Sequence, residues 1–368
     1  MHIVLDFDGT ITVDDTIGAL AQFAVNFQQT RSPPAPATAT TTTNHDWHAR
    51  WQAIVDAYVA ALRAHSDAYR PRAETRTQLA HELAYLRSLC TVEQASVQRI
   101  VAAGLFAGLA PVPDRLFAAG RAATAGGDAE EKAEAEAETA AAVVLRPGFT
   151  DFLAETHERR GWPVSVVSIN WSDAWIRGVL AGRHATRRKA GPQDKEQKEE
   201  EEEDDDEEEE HIRIFANTIT DTGDIVPNFD RTTHKTKPIA SCSDKVEATR
   251  AAEAAVMAAA FSGECRHQND HPPPAPAPAH NQHAVYIGDS PTDLECLVEA
   301  SGGGIVMAGD AGPDASKLLR ALARLGYAVP HVSDAPTFGG VRQDDQPRLA
   351  WARDFHEILA SGILDAAS

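Results

Sequence analysis

The sequence predicts an α/β protein: a Rossmann-like, three-layer core built on a parallel sheet, with a helical cap domain inserted into it. Three observations predict it. Short apolar runs at 2–6, 163–168, 284–288 and 303–307 alternate with segments of helical spacing, the pattern of strands covered on both faces by crossover helices. A long helical block, 16–144, interrupts that alternation after the first run. Polar clusters stand at the ends of the runs, where open α/β sheets bind their ligands.

The elements follow in order. Residues 46–64 carry Trp47, Trp51, Ile54, Val55, Tyr58, Val59 and Leu62 on one face at helical spacing, and that face is expected to pack. Further helices are predicted over 75–90, 92–108 and 112–123, then over 149–160, 172–182, 244–260 and 292–300. Residues 211–229 alternate as a hairpin with its turn at Asp221-Thr222-Gly223-Asp224. The expected division is a core of 1–15 with 145–345, a cap of 16–144 and a C-terminal helix in 346–368. Four stretches, 31–45, 124–141, 189–210 and 267–283, are dominated by Pro, Ala, Gly, Thr or charge. They read as surface insertions, 124–141 equally as an exposed helix, because such compositions bury too little apolar surface to offset chain entropy.

Composition narrows the function. Apolar residues make up 43% of 368, enough for a substantial core, and the formal net charge is −21. Twelve consecutive acids at 199–210 account for part of it and leave −9 for the rest. A body that acidic argues against nucleic-acid binding, which relies on Lys and Arg. The run itself suits a basic protein partner at most. The basic stretch 183–189 leaves a nuclear location open. Four cysteines, Cys90, Cys242, Cys265 and Cys296, form no CxxC pair, so neither a disulfide scaffold nor a zinc site is expected. No apolar stretch reaches 18 residues, so no membrane span is expected, and a start with two acids by position 8 predicts a cytoplasmic setting.

Four clusters carry the chemistry. Asp6-Phe7-Asp8-Gly9-Thr10 follows the first strand. Carboxylates two apart on extended chain point the same way, so one can attack phosphorus while the other manages the leaving-group proton. Gly9 permits a sharp turn, and Thr10 offers an N–H and a hydroxyl to phosphate oxygens. Ser168 ends the second strand with another hydroxyl. Lys245 opens the Ala-rich helix with an ammonium able to neutralise carboxylate and phosphoryl charge. Gly288-Asp289-Ser290-Pro291-Thr292-Asp293 brings two more acids to a strand end, hard oxygen donors suited to Mg²⁺ beside a phosphate. Trp171 and Trp175 follow Ser168 closely; a place in the wall of a substrate pocket is open to Trp171, but packing against the sheet is the expectation.

In this order the clusters resemble the haloacid dehalogenase superfamily, whose phosphatases carry DxDGT, a strand-end Ser or Thr, a Lys and GDxxxD. Arg146-Pro147-Gly148-Phe149, and Thr12 with Asp14 and Asp15, are similar to its phosphoserine-phosphatase-like branch. The resemblance covers roughly 1–30 and 145–310. It implies Asp6 as nucleophile and Mg²⁺ ligand, Asp8 as general acid then base with its backbone carbonyl on the metal, and Asp289 as a third ligand. It implies that Asp293 supports the metal shell or holds Lys245. Ser168, Asn170, Gly9 and Thr10 would grip the phosphate. An acid at position 8 favours a phosphatase over the dehalogenases and P-type ATPases, which lack one there. The implied substrate is a small phosphorylated metabolite that fits beneath the cap. Two rivals remain: a catalytically silent binding or regulatory protein on this fold, and a phosphotransferase using the same aspartyl-phosphate. Deleting 189–210 is expected to leave turnover within a few-fold of the intact chain. A collapse in turnover on deletion would show that the acidic run feeds the site.

Overall fold

A computed structural model describes residues 1–31, 46–124, 142–183, 212–229, 237–264, 283–338 and 346–365. The acidic run and nearly all of the other three low-complexity stretches lie outside these residues.

The fold is α/β, with a six-stranded parallel sheet. Its strands are β1 (His2–Leu5), β2 (Val164–Val167), β3 (Arg213–Phe215), β6 (Ala284–Gly288), β7 (Gly303–Met307) and β8 (Leu349–Ala352), in the order β3-β2-β1-β6-β7-β8. Strands β4 (Asn217–Ile219) and β5 (Ile225–Pro227) form a separate antiparallel pair. Register fixes the sheet's centre: Leu5 lies beside Val166 on one side and Ile287 on the other. The side-chain period of two sends alternate residues to opposite faces. Ile3, Leu5, Val285, Ile287, Ile305 and Met307 belong to one apolar cluster, and Val4, Tyr286 and Val306 to the other. Both faces are therefore covered, the physical meaning of three layers.

On the first face lie α1 (Ile17–Arg31), α5 (Val112–Thr124), α6 (Phe149–Leu153), α7 (Asp173–Ala181) and α11 (Phe355–Ser361). On the second lie α8 (Cys242–Glu264), α9 (Leu294–Glu299) and α10 (Lys317–Arg324). Between α1 and α5 come α2 (Trp47–Ala68), α3 (Leu79–Ser88) and α4 (Cys90–Ala103). No helix among the described residues is long and apolar enough to cross a membrane.

Two expectations need correction. Residues 213–215 do not begin a hairpin; Ile214 and Phe215 are buried and pair in parallel with β2. The antiparallel turn starts only at Asn217, whose buried side chain ends the strand. Residues 346–368 are not a helix alone, since Leu349–Ala352 pairs with β7 as the sheet's edge before α11 begins. Pairing with an available edge outweighs the weak local preference of Leu-Ala-Trp-Ala.

Helix α5 is fixed to the core by two glycines. A Cβ on Gly178 would lie 2.0 Å from the Phe117 carbonyl oxygen, and one on Gly120 would lie 2.5 Å from that of Trp175. Neither backbone can yield without separating the helices. Gly178→Ala is expected to cost about 3 kcal/mol or more, the upper end of overpacking penalties, read as a lower midpoint of thermal unfolding. An unchanged midpoint would mean that the helices do not cross this closely.

Candidate active site

Three neighbouring strands deliver the site. Asp6 follows β1, Ser168 follows β2 and Asp289 follows β6, at the C-terminal edge where the chain leaves β1 toward β2 and leaves β6 in the opposite direction, toward β7. Ligands settle in the crevice at such a switch point.

Lys245 is the centre of charge. It lies in the first turn of α8, its backbone N–H held by the Ser241 carbonyl at 3.0 Å. Its Nζ is 2.7 Å from Asp6 Oδ1 and 2.6 Å from Asp293 Oδ1. All three side chains are buried. Burial works against the ammonium, but Asp293 and Asp6 outweigh it and hold the lysine above its ordinary pKa. Asp6 is pushed well above the usual carboxylate range by burial and by the negative charge of Asp293, against the pull of Lys245.

Asp6, Asp289 and Asp293 each bring a carboxylate oxygen within 4.8 Å of the others. One ammonium does not balance three carboxylates, and hard oxygen donors this close suit a divalent cation. Asp289 is raised to about 6 by burial and by Asp293, the sign expected where a cation is needed to relieve crowded acids. The trio could hold a metal ion, with Asp6 and Asp289 best placed to coordinate. Asp293 is already engaged on both oxygens: Tyr286 and Lys245 reach Oδ1, and the Ser290 N–H and hydroxyl reach Oδ2 at 3.0 and 3.1 Å. Its place is that of the second partner of Lys245.

Asp8 stands apart. Its Oδ1 accepts from the Thr16 N–H and hydroxyl, both at 2.7 Å, and its Oδ2 from Asn170 Nδ2 at 2.9 Å. Burial and the nearby Asp15 raise it to about 6, and those three donors oppose the shift. Asn170 also reaches the Thr16 hydroxyl at 3.1 Å. Both of its side-chain N–H groups are thereby used, so it holds Asp8, where the sequence suggested a phosphate contact. Ser168 is buried, with its hydroxyl accepting from the Asn170 N–H. The Thr10 hydroxyl donates to Asp289 at 3.2 Å, and its N–H makes a long bond to the Phe7 carbonyl at 3.3 Å. Gly9 has φ +77°, and a Cβ there would fall 2.4 Å from Asp289 Oδ2, so only glycine allows the loop and the acid to meet.

Four residues escaped the sequence reading of the site. Thr16 holds Asp8, and Trp175 Nε1 holds Thr16 at 3.1 Å. Asn217 joins the Asn170 and Ile239 carbonyls through its amide and accepts from the Ile239 N–H, tying the loop after β2 to the approach to α8. Arg146 donates to the Thr10 carbonyl at 2.9 Å and to the carbonyls of Gly9 and Arg353. Sequence shows Arg146 only as part of an Arg-Pro-Gly turn, and its acceptors are backbone groups distant along the chain.

Two hollows flank these residues. A cleft of about 610 Å³ borders Gly9, Arg146, Asp289 and Ser290. A chamber of about 210 Å³ lies on the Asp8 side, walled by Trp51, Ile54, Val97, Ile100 and Trp171. Trp171, for which packing was expected ahead of a place in a pocket wall, contacts Trp51 and Phe106 edge-on and also faces this chamber.

No protein-family model matches the chain, and no curated protein matches it. Among solved structures it is similar to a phosphoserine phosphohydrolase-like protein from Francisella tularensis subsp. tularensis SCHU S4, at 11% identity over 98% of each chain, with a TM-score of 0.36. A likeness of that size carries no functional argument, so the reading rests on geometry.

Removing the Arg146 guanidinium would leave the loop carbonyls without their charged donor. Arg146→Met is expected to cost about 2–4 kcal/mol in denaturant unfolding, against under about 0.5 for the exposed Arg63→Met. Equal losses would show that the Arg146 contacts add nothing.

Proposed function

We propose that the chain is a Mg²⁺-dependent phosphomonoester hydrolase that works through an aspartyl-phosphate on Asp6. The observation that carries this reading is the separation of two acids two residues apart: Asp6 lies against Lys245, and Asp8 lies in its own cradle of Thr16 and Asn170.

The roles follow from those environments. Lys245 pulls Asp6 toward the ionised form against burial and the charge of Asp293, a bound cation would pull the same way, and an ionised carboxylate is the nucleophile. An Asp6 oxygen forms the bond to phosphorus as the bond to the leaving oxygen breaks. Asp8, with its pKa near 6, is poised to carry a proton at neutral pH. It gives that proton to the leaving oxygen, then takes one from the water that attacks the phosphoryl group, and Asp6 is released. The Ser168 hydroxyl and the N–H groups of Gly9 and Thr10, whose bonds within the loop are long at 3.3 Å each, hold phosphoryl oxygens. Bound by Asp6, Asp289 and the Asp8 carbonyl, Mg²⁺ would supply the positive charge that these oxygens and the crowded acids lack. Asp293 and Tyr286 fix the reach of Lys245.

Turnover of p-nitrophenyl phosphate by the purified chain should appear with Mg²⁺ and vanish with a chelator. No turnover across a broad phosphate panel would favour the silent binding protein.

Asp6→Asn is expected to abolish turnover. Asp8→Asn should still transfer the phosphoryl group to Asp6 from a good leaving group but release it slowly, so that phosphoenzyme accumulates. Wild-type-like rates in Asp6→Asn would refute the mechanism. Thr16→Val removes the hydroxyl from Asp8 and is expected to lower kcat by about tenfold or more, within the usual worth of a positioned proton donor. An unchanged kcat and pH profile would show that Thr16 does not set the state of Asp8.

A further inference from the structure

The 210 Å³ chamber is built around the residues that grip Asp8. Ile17 follows Thr16, and Ile169 and Trp171 bracket Asn170; all three line the chamber, while Thr16 and Asn170 hold the Asp8 carboxylate. Asp8 does not itself line the chamber, but both residues that hold it are flanked on each side by lining residues, Thr16 by Asp15 and Ile17 and Asn170 by Ile169 and Trp171, which puts the chamber next to the proposed acid. This inference rests on the phosphatase reading above.

The lining is specific. Trp51, Ile54 and Val55 come from α2, Val97 and Ile100 from α4, and Ile239 and Ala240 from the approach to α8. The polar lining is Asp15, Tyr58, Glu93 and Ser96, with no Lys, Arg or His among the described lining residues. The Tyr58 hydroxyl donates to Glu93 Oε1 at 3.0 Å, and Glu93 is half-buried. Asp15 is solvent-accessible. An apolar cavity of about 150 Å³ suffices to take up benzene, so this one has room for a six-membered ring and a short substituent. Acids set in apolar walls without a cation favour a positive or hydrogen-donating group and repel a carboxylate. Trp51, Trp171 and Tyr58 add aromatic faces that attract cations.

We infer that the chamber is the leaving-group pocket and selects ring-sized, apolar-bodied alcohols that end in an ammonium or other hydrogen-bond donor, rejecting leaving groups that carry a carboxylate or a second phosphate. Phosphoserine, phosphoglycolate-like acids and bisphosphates are poor substrates on this ground. Burial holds Glu93 above its ordinary pKa, which agrees with a negative charge that no cation of the lining balances.

A matched series tests it: 4-(aminomethyl)phenyl phosphate, phenyl phosphate and 4-carboxyphenyl phosphate with the intact, Mg²⁺-loaded chain. At neutral pH the ionised carboxylate and the ammoniomethyl group each change the phenol leaving group only modestly, so chemistry alone separates the esters by little. The expected kcat/KM order puts the aminomethyl ester ahead of the carboxy ester by about tenfold or more, the scale of one cation–aromatic and charge contact. Glu93→Gln is expected to shrink that ratio, and Glu93→Asp to preserve part of it. Equal rates, or the carboxy ester ahead, overturn the inference and leave the phosphatase reading standing. If none of the esters turns over, the phosphatase reading fails, and tryptophan fluorescence titrated with 4-(aminomethyl)phenol and 4-hydroxybenzoate decides the pocket. Saturable binding of the amine alone upholds it; equal binding, or none, overturns it.

Discussion

Everything at the site depends on one buried ammonium. Lys245 is 1% exposed, and a charge so enclosed is tolerable only with close counter-charges and satisfied hydrogen bonds. Asp6 and Asp293 provide the charges, and Tyr286 and Ser290 fix Asp293 in turn. The constraint propagates outward. Tyr286 is buried in the central strand β6, so the sheet itself sets where Asp293 can be. Asn217 fixes the approach to α8, and thus where the lysine begins. Moving any of these elements would strand a buried charge, which makes the geometry stiffer than any single contact would.

The same economy separates the two acids of the first loop. After β1 the chain keeps Asp6 under the sheet's C-terminal edge, with its N–H on the Ile287 carbonyl at 2.9 Å. It then turns so that the N–H groups of Thr10, Ile11 and Thr12 all meet the Phe7 carbonyl. Asp8 leaves on the other side of that turn and meets Thr16, at the start of α1. Two carboxylates two residues apart in the chain acquire different surroundings because one faces a lysine and the other faces neutral donors. Arg146 holds the outer carbonyls of the turn, so the segment at 143–146 is as much a part of the loop as its own residues.

Much of this was legible in the sequence for physical reasons. A doubly buried parallel strand must be apolar throughout, and β1, β2, β6 and β7 announce themselves that way. The polar residues that end them stand out by contrast, which is why Asp6, Ser168 and Asp289 could be placed at one edge. What failed to show depends on distance in the chain. Asn170 looked like a phosphate contact because nothing local reveals that Thr16 and Asp8 take its amide. Thr16, Asn217 and Arg146 act through backbone atoms or single side chains 8 to 162 residues away, with no periodicity to betray them. β8 was missed because an edge strand of four residues is stabilised by its neighbour rather than by its own composition.

Helix α2 shows the limit from the other direction. Its apolar stripe is a sound helical signal, and the helix is present from Trp47 to Ala68, yet none of its residues is buried. A stripe normally identifies the face that meets a core. Here Trp51, Ile54, Val55 and Tyr58 remain only partly covered and face the chamber beside Asp8. Leaving so much apolar surface incompletely packed forgoes stabilisation of about 25 cal/mol per Å², a cost that the fold elsewhere avoids, as the close approach of Gly120 and Gly178 shows. The core helices meet backbone to backbone while α2 stands off from the sheet edge. On the proposed reading, the reacting molecule would sit between a rigid floor, set by the lysine and its acids, and this apolar wall.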